Sequence, residues 1–176
     1  MKFKILRYKK VRSTNNTAIR IIKRGNINFG MIISENQSKG RGQYGRKWVS
    51  YKGNLFVSFF YNLEDLKISI NKLTLLNCLM VKKLLSQYYT KQIIFKKPND
   101  LLIDKKKICG ILQEKICKLQ KTYLIVGIGI NLIKNPNLKG IPTTNLNKLL
   151  NKRLSKIKIE KKIKKIFEIK LGKLYR

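Results

Sequence analysis

The chain has 176 residues, enough for one domain of ordinary size and too few for two. It carries 41 Lys and Arg against 8 Asp and Glu, a formal net charge of +33, and no histidine, which removes Ser-His-Asp triads, imidazole acid–base chemistry and His metal sites. Only eight of the cations are Arg, so the lysine excess reads as a solvated surface before it reads as a dedicated nucleic-acid face, which favours the planar fork of Arg.

Alternation over residues 3–9 predicts a first strand. Ser13-Thr14-Asn15 offers an N-cap to a short helix carrying Ala18, Ile21 and Ile22, which Gly25 ends. FGMIIS, 29–34, predicts a buried strand, and a glycine-rich basic stretch, SKGRGQYGRKW, follows at 38–48. NLFVSFFYN, 54–62, is aromatic and β-branched and predicts the clearest strand. Leu73, Leu76, Leu79, Met80 and Leu84 recur at helical spacing within a long helix over 70–88. A short strand at 93–95 stops at Pro98, and Asn99-Asp100 turn into LLID. KKK at 105–107 is expected at a hairpin tip between that segment and a strand over 107–117, which a tight connection around 118–121 joins to another over 122–132. Pro136 and Pro142 mark a loop, and Ile159, Ile163, Ile166, Phe167, Leu171 and Leu174 line one face of a terminal helix. This grouping predicts an α+β fold with a mixed, mostly antiparallel sheet flanked by helices, over one domain, 1–176.

Cys78, Cys109 and Cys117 lack C-x-x-C spacing and read as free thiols filling the core in a reducing compartment. No apolar run approaches the roughly 18 residues of a membrane span, and the N-terminus alternates where a signal peptide would be continuous. A cytoplasmic protein without membrane or specific DNA partners is expected.

Gly40, Gly42 and Gly45 match the dinucleotide spacing G-x-G-x-x-G after a strand, with Glu64 and Asp65 about 20 residues on. The helix needed to receive a pyrophosphate is missing, because strand-type sequence follows Gly45. A Walker loop fails too, since Arg46-Lys47-Trp48 stand where Gly-Lys-Ser/Thr is required. What remains is a loop whose glycines admit close backbone approach and whose Lys39, Arg41 and Arg46 repel one another unless solvated or facing an anion; a plain basic surface loop is the competing reading. A second constellation is Lys96-Lys97-Pro98-Asn99-Asp100 followed by KICGILQE, 107–114. Pro98 presents Lys96 from a rigid place, and glycine inside strands, at Gly110, Gly127 and Gly129, marks close approach of a ligand, with a bulge or packing contact as the alternative for each.

Ser13-Thr14-Asn15, ENQSKGRGQYGRKW, KKPND, KICGILQE and VGIGINL, in this order, resemble the biotin protein ligases over residues 8–132. The resemblance implies a class II aminoacyl-tRNA-synthetase-like catalytic domain that couples biotin and ATP, with Mg²⁺ expected on the ATP phosphates, to biotinyl-5′-adenylate. The biotin then passes to a lysine of a carrier domain, that of acetyl-CoA carboxylase in particular. By position it implies Lys96, Arg41 and Arg46 as catalytic cations. It implies Ser13, Thr14, Asn15, Gln37, Gly40, Arg41, Lys96 and Gly110 as biotin contacts, and Arg41, Gln43, Arg46, Trp48, Lys96 and Asn131 as adenylate contacts. Gln43 stands where many members have Arg, and Lys97 where Trp is common; the first implies weaker retention of the adenylate. The chain is expected to lack both a preceding helix-turn-helix and a following β-barrel, so a repressor role is not expected. A homodimer is left open. A lipoate or octanoyl ligase and a non-catalytic nucleic-acid-binding module are the competing functions.

Overall fold

Ser13 starts the first helix where its hydroxyl can do most. Its backbone is extended, with φ −154° and ψ 139°, and its Oγ accepts the Asn16 N–H, satisfying a donor the first helical turn leaves open. The helix, α1 (Thr14–Arg24), places Lys23 and Arg24 in its last turn, where cations suit the dipole. It joins β1 (Lys4–Val11) to β2 (Phe29–Gln37), which run parallel as a crossover helix permits. The remaining strands are β3 (Leu55–Asn62), β4 (Ile94–Lys96), β5 (Asp100–Ile103), β6 (Lys106–Lys118) and β7 (Lys121–Ile130). All their pairings are antiparallel, and one seven-stranded sheet has the order β1-β2-β3-β7-β6-β5-β4. The computed structural model describes residues 1–25, 27–64 and 66–175; Asp65, counted above toward the dinucleotide pattern, lies outside them.

β3 is buried along its whole length because both faces of the sheet are covered there. Val57, Phe59 and Tyr61 join the larger core beneath α2 (Ile70–Ser86) and α4 (Lys156–Gly172), while Phe60 packs with Ala18 and Ile22 of α1 on the other face. Phe59 and Phe167 stack with centroids 4.1 Å apart and planes at 7°, and Phe3 meets Phe59 edge-on at 4.9 Å. Period-2 aromatics in β3 thus meet period-3.6 aliphatics in two helices, and the expected fold class holds.

Several expectations are corrected at the turns. The β5–β6 hairpin turns at Asp104 and Lys105, both left-handed with φ 49° and 60°, so Lys106 and Lys107 belong to β6 and not to the tip. Asp100 is the first residue of β5 instead of a turn residue. A short helix, α3 (Leu146–Leu150), capped by the Asn145 side chain, was not anticipated, and Leu174 lies beyond the end of α4, still packed on the core. Cys78 and Cys109 are buried thiols as expected, but Cys117 is exposed. Burial pushes the Cys78 thiol up to about 11 and the Cys109 thiol well above its usual value, so both stay protonated and inert.

Because Phe167 has a ring face stacked in a filled core, Phe167→Ala is expected to destabilise the fold by about 3–5 kcal/mol, read as a fall in the denaturant midpoint at unchanged m.

Candidate active site

A cavity of about 570 Å³ opens on the α1 face of the sheet. Its walls come from segments far apart in sequence: the N-terminus of α1, the 40–48 stretch, the β4–β5 connection, the middles of β6 and β7, and the loop 133–145. A concave site with apolar walls and a few convergent polar groups is the usual form of a small-molecule site.

One wall is polar and internally paired. Thr14 donates to Gln37 Oε1 from its N–H at 2.8 Å and its hydroxyl at 3.1 Å, and Gln37 Nε2 donates to Ser50 Oγ at 3.2 Å. Asn15 is 3% exposed and its amide is fully engaged: Nδ2 donates to Leu112 O at 3.2 Å and Glu114 Oε2 at 2.7 Å, while Oδ1 accepts from Ser58 Oγ at 2.6 Å. Gly127 makes that position available, since a Cβ there would stand 2.1 Å from Asn15 Oδ1.

The basic stretch is a small hairpin. Arg41 bridges Lys47, the Gly42 N–H donates to Arg46 O at 2.7 Å, and the Trp48 N–H to Gly40 O at 2.9 Å. Tyr44 and Gly45, both left-handed with φ 54° and 71°, make its tip. The chain then returns Trp48 across the strand glycines: a Cβ would lie 2.6 Å from its ring at Gly110 and 2.4 Å at Gly129. The close approach expected at these glycines is therefore made by the protein's own Trp48 and Asn15, which form the cavity floor. Gly40 packs against the Trp48 carbonyl and is not part of the lining, contrary to expectation.

The cations are held by two of the chain's few carboxylates. Lys107 Nζ lies 2.8 Å from Asp100 Oδ1 and 5.5 Å from the centre of the Trp48 ring, and its side chain is 19% exposed. Arg41 Nη2 lies 2.7 and 2.6 Å from the two oxygens of Glu114. Arg46 and Lys96 also line the cavity, both exposed.

The outer wall depends on Asn54, a residue fully buried just before β3. Its Oδ1 accepts the N–H groups of Leu132, Ile133 and Lys134 at 3.0, 3.0 and 3.2 Å, and its Nδ2 donates to Lys134 O at 2.6 Å. Asn135, bonded to Thr143 and Asn145, closes the same loop at its base. The Lys107 N–H then donates to Pro142 O at 2.8 Å, tying the loop to β6. Leu138 and Ile141 thereby reach the cavity.

Four buried side-chain polar atoms without a hydrogen-bond partner belong to residues lining this one cavity: Asp100 Oδ1, which is ion-paired with Lys107, and Gln43 Oε1, Trp48 Nε1 and Asn131 Oδ1, which have no partner of either kind. Buried polar atoms are normally paired, so their convergence marks a place where a ligand supplies the partners. Of the residues expected from sequence, Ser13, Thr14, Asn15, Gln37, Arg41, Gln43, Arg46, Trp48, Lys96, Gly110 and Asn131 line the cavity, and Gly40 does not. Asp100, Lys107 and Glu114 lay within the second constellation but were given no role of their own, and Ser50 and Asn54 were missed. The usable signal was acid scarcity: with eight acidic residues in the chain, each is informative about the cation it holds.

The model of the Biotin/lipoate A/B protein ligase family matches residues 9–131. The chain belongs to this family. Among its relatives, the bifunctional ligase/repressor BirA of Bacillus subtilis is 32% identical over 139 residues, 75% of this chain and 43% of that protein. Its Escherichia coli namesake is 34% identical over 102 residues, 57% and 32% of the two chains. The chain thus spans less than half the length of either. Aquifex aeolicus biotin protein ligase in complex with biotin and ATP has a TM-score of 0.80 at 31% identity, covering 96% of this chain and 70% of that one. P. falciparum LipL1 in complex with lipoate shares the fold, with a TM-score of 0.60 at 13% identity, covering 97% and 63%.

Gly127→Ala drives a methyl group into Asn15 and is expected to cost about 1–3 kcal/mol as the Asn15 bonds break. A denaturant midpoint equal to the parent's would show that Asn15 has an alternative seat.

Proposed function

We propose that the chain ligates biotin to a lysine of a biotin carboxyl carrier domain through biotinyl-5′-AMP, with the acetyl-CoA carboxylase carrier as acceptor, and that residues 1–176 act as one catalytic domain. The observation that carries this reading is the convergence of three unpartnered buried polar atoms with carboxylate-held cations on one cavity. Such a site suits a ligand that is apolar in its body, polar at its ring and anionic at its reacting end.

In the first step a biotin carboxylate oxygen bonds to the α-phosphorus of ATP, and the bond to pyrophosphate breaks. Two anions must meet, and fixed cations lower that barrier because they need not reorganise as charge builds. We assign this inner role to Lys107 and Arg41, the two cavity-lining cations that are each paired with a carboxylate. The exposed Arg46 and Lys96 take the outer role toward the phosphates. The Thr14–Gln37 wall, with Ser13 beside it, faces the ureido ring, whose buried donors and acceptors need partners. In the second step the carrier amine bonds to the acyl carbon and loses a proton, and AMP leaves with the bridging oxygen. Among the described residues no group of three or more His, Cys, Asp or Glu side chains is placed to hold a metal; this donor set fits Mg²⁺ arriving on the ATP phosphates, where it would neutralise their charge. Free thiols, and the lack among the described residues of any helix long and apolar enough to cross a membrane, support a cytoplasmic setting.

ATP–pyrophosphate exchange tests the reading. Biotin-dependent exchange is expected; dependence on lipoate would reassign the substrate, and no exchange with salt-sensitive nucleic-acid binding would reassign the class. Lys107→Ala is expected to lower exchange by about 10²–10³-fold, as for loss of one preorganised donor, and Lys96→Ala by less; parent-level exchange in Lys107→Ala removes that assignment.

Gln43 contributes a neutral oxygen where a cation would grip the adenylate. Gln43→Arg is expected to slow dissociation of biotinyl-5′-AMP, measured by chase; equal off-rates would show that Gln43 has no part in retention.

A further inference from the structure

The Glu114 carboxylate is shared between two elements. Oε2 accepts from Asn15 Nδ2 at 2.7 Å and from Arg41 Nη2 at 2.6 Å, and Oε1 accepts from the same Arg41 nitrogen at 2.7 Å. Asn15 is itself fixed by Ser58 of β3, at 2.6 Å. A line of bonded side chains therefore runs from β3, through the first turn of α1 and β6, to the basic hairpin. Glu114 occupies only one end of the guanidinium. Nε and Nη1 of Arg41 make no hydrogen bond among the described residues, so two of its three nitrogens still have donors to offer.

The two side chains are 38% and 25% exposed, and ion pairs this open to solvent add little to stability. What the pair does supply is orientation. Arg41 lies on a hairpin that also carries Arg46 and Lys47, and the cavity they share already holds Lys107. Like charges around one cavity would push a free Arg41 outward, and the Glu114 charge offsets that push.

We propose that Glu114 is a positioning residue for Arg41: it clamps Nη2 against the sheet and leaves the Nε and Nη1 donors for the anion that enters the cavity. The carboxylate does not have to leave when the ligand arrives, since a guanidinium can bridge two anions through different edges. The catalytic readout of this inference rests on the ligase reading; its binding readout does not.

A double-variant cycle with Glu114→Ala and Arg41→Ala separates positioning from an independent structural role. Each single variant is expected to lower kcat/KM for biotin-dependent exchange by about 10²-fold, the scale of a misplaced catalytic group, with most of the loss in KM. The double variant should be no worse than either single. The same non-additivity is expected in the affinity for pyrophosphate alone, measured by calorimetry. Glu114→Gln, which keeps one acceptor oxygen, is expected to lose less and serves if Glu114→Ala does not fold. Losses that multiply in the double variant overturn the proposal, as do parent-level values in both Glu114 variants or a parent that does not bind pyrophosphate. A parent that shows the binding cycle but no exchange removes the ligase reading and keeps the clamp; exchange with multiplicative losses does the reverse.

Discussion

A site that binds anions has to keep its cations together before the anion comes. In a chain of net charge +33 that is the governing constraint, because no general excess of acid exists to damp the repulsion. The cavity meets it with two local pairs, Arg41 with Glu114 and Lys107 with Asp100, each about 2.6–2.8 Å apart. Neither pair is deeply buried, so their worth lies in geometry and in local charge balance more than in stability. The remaining lysines lie mostly in solvent, where water and salt screen them.

Geometry of this kind requires a stiff frame. Glu114 and Asp100 lie on neighbouring strands, β6 and β5, and Asn15 is pinned to β3 by Ser58. β3 is packed on both faces, with Phe59 against Phe167 on one side and Phe60 against α1 on the other. Aromatic packing on the far face of the sheet thus fixes the strand that orients the polar groups of the near face. The strand glycines contribute by absence: without a Cβ at 127 or 129, Asn15 and Trp48 can lie flat on the sheet and still leave an open volume above.

Elements with a strong local signal were legible in the sequence. The Ser13 cap, the β3 run, the α2 and α4 stripes and the β6–β7 pair follow from side chains that decide their own conformation. Residues that converge through the motif order, such as Thr14, Gln37 and Arg41, were placed in the site as well. Lys107 was not, because three consecutive lysines look alike in sequence and a turn shift of two residues decides which one faces the cavity. That shift is set by the left-handed backbone at Asp104 and Lys105. The glycines announced close approach but could not name the visitor, which proved to be Trp48 or Asn15. Asn54 read as a strand boundary; its bonds to residues 132–134 exist only after β3 and β7 have paired.

The Asn54 anchor has a consequence for how the protein responds to occupancy. The donors it receives lie 78 to 80 residues further along the chain, so the outer wall of the cavity cannot form as a local unit ahead of the sheet. The wall and the central strands then belong to one cooperative unit, and opening the wall fully means parting β3 from the end of β7. A ligand captured beneath it therefore raises the cost of unfolding the whole domain, by an amount that grows with the logarithm of ligand concentration.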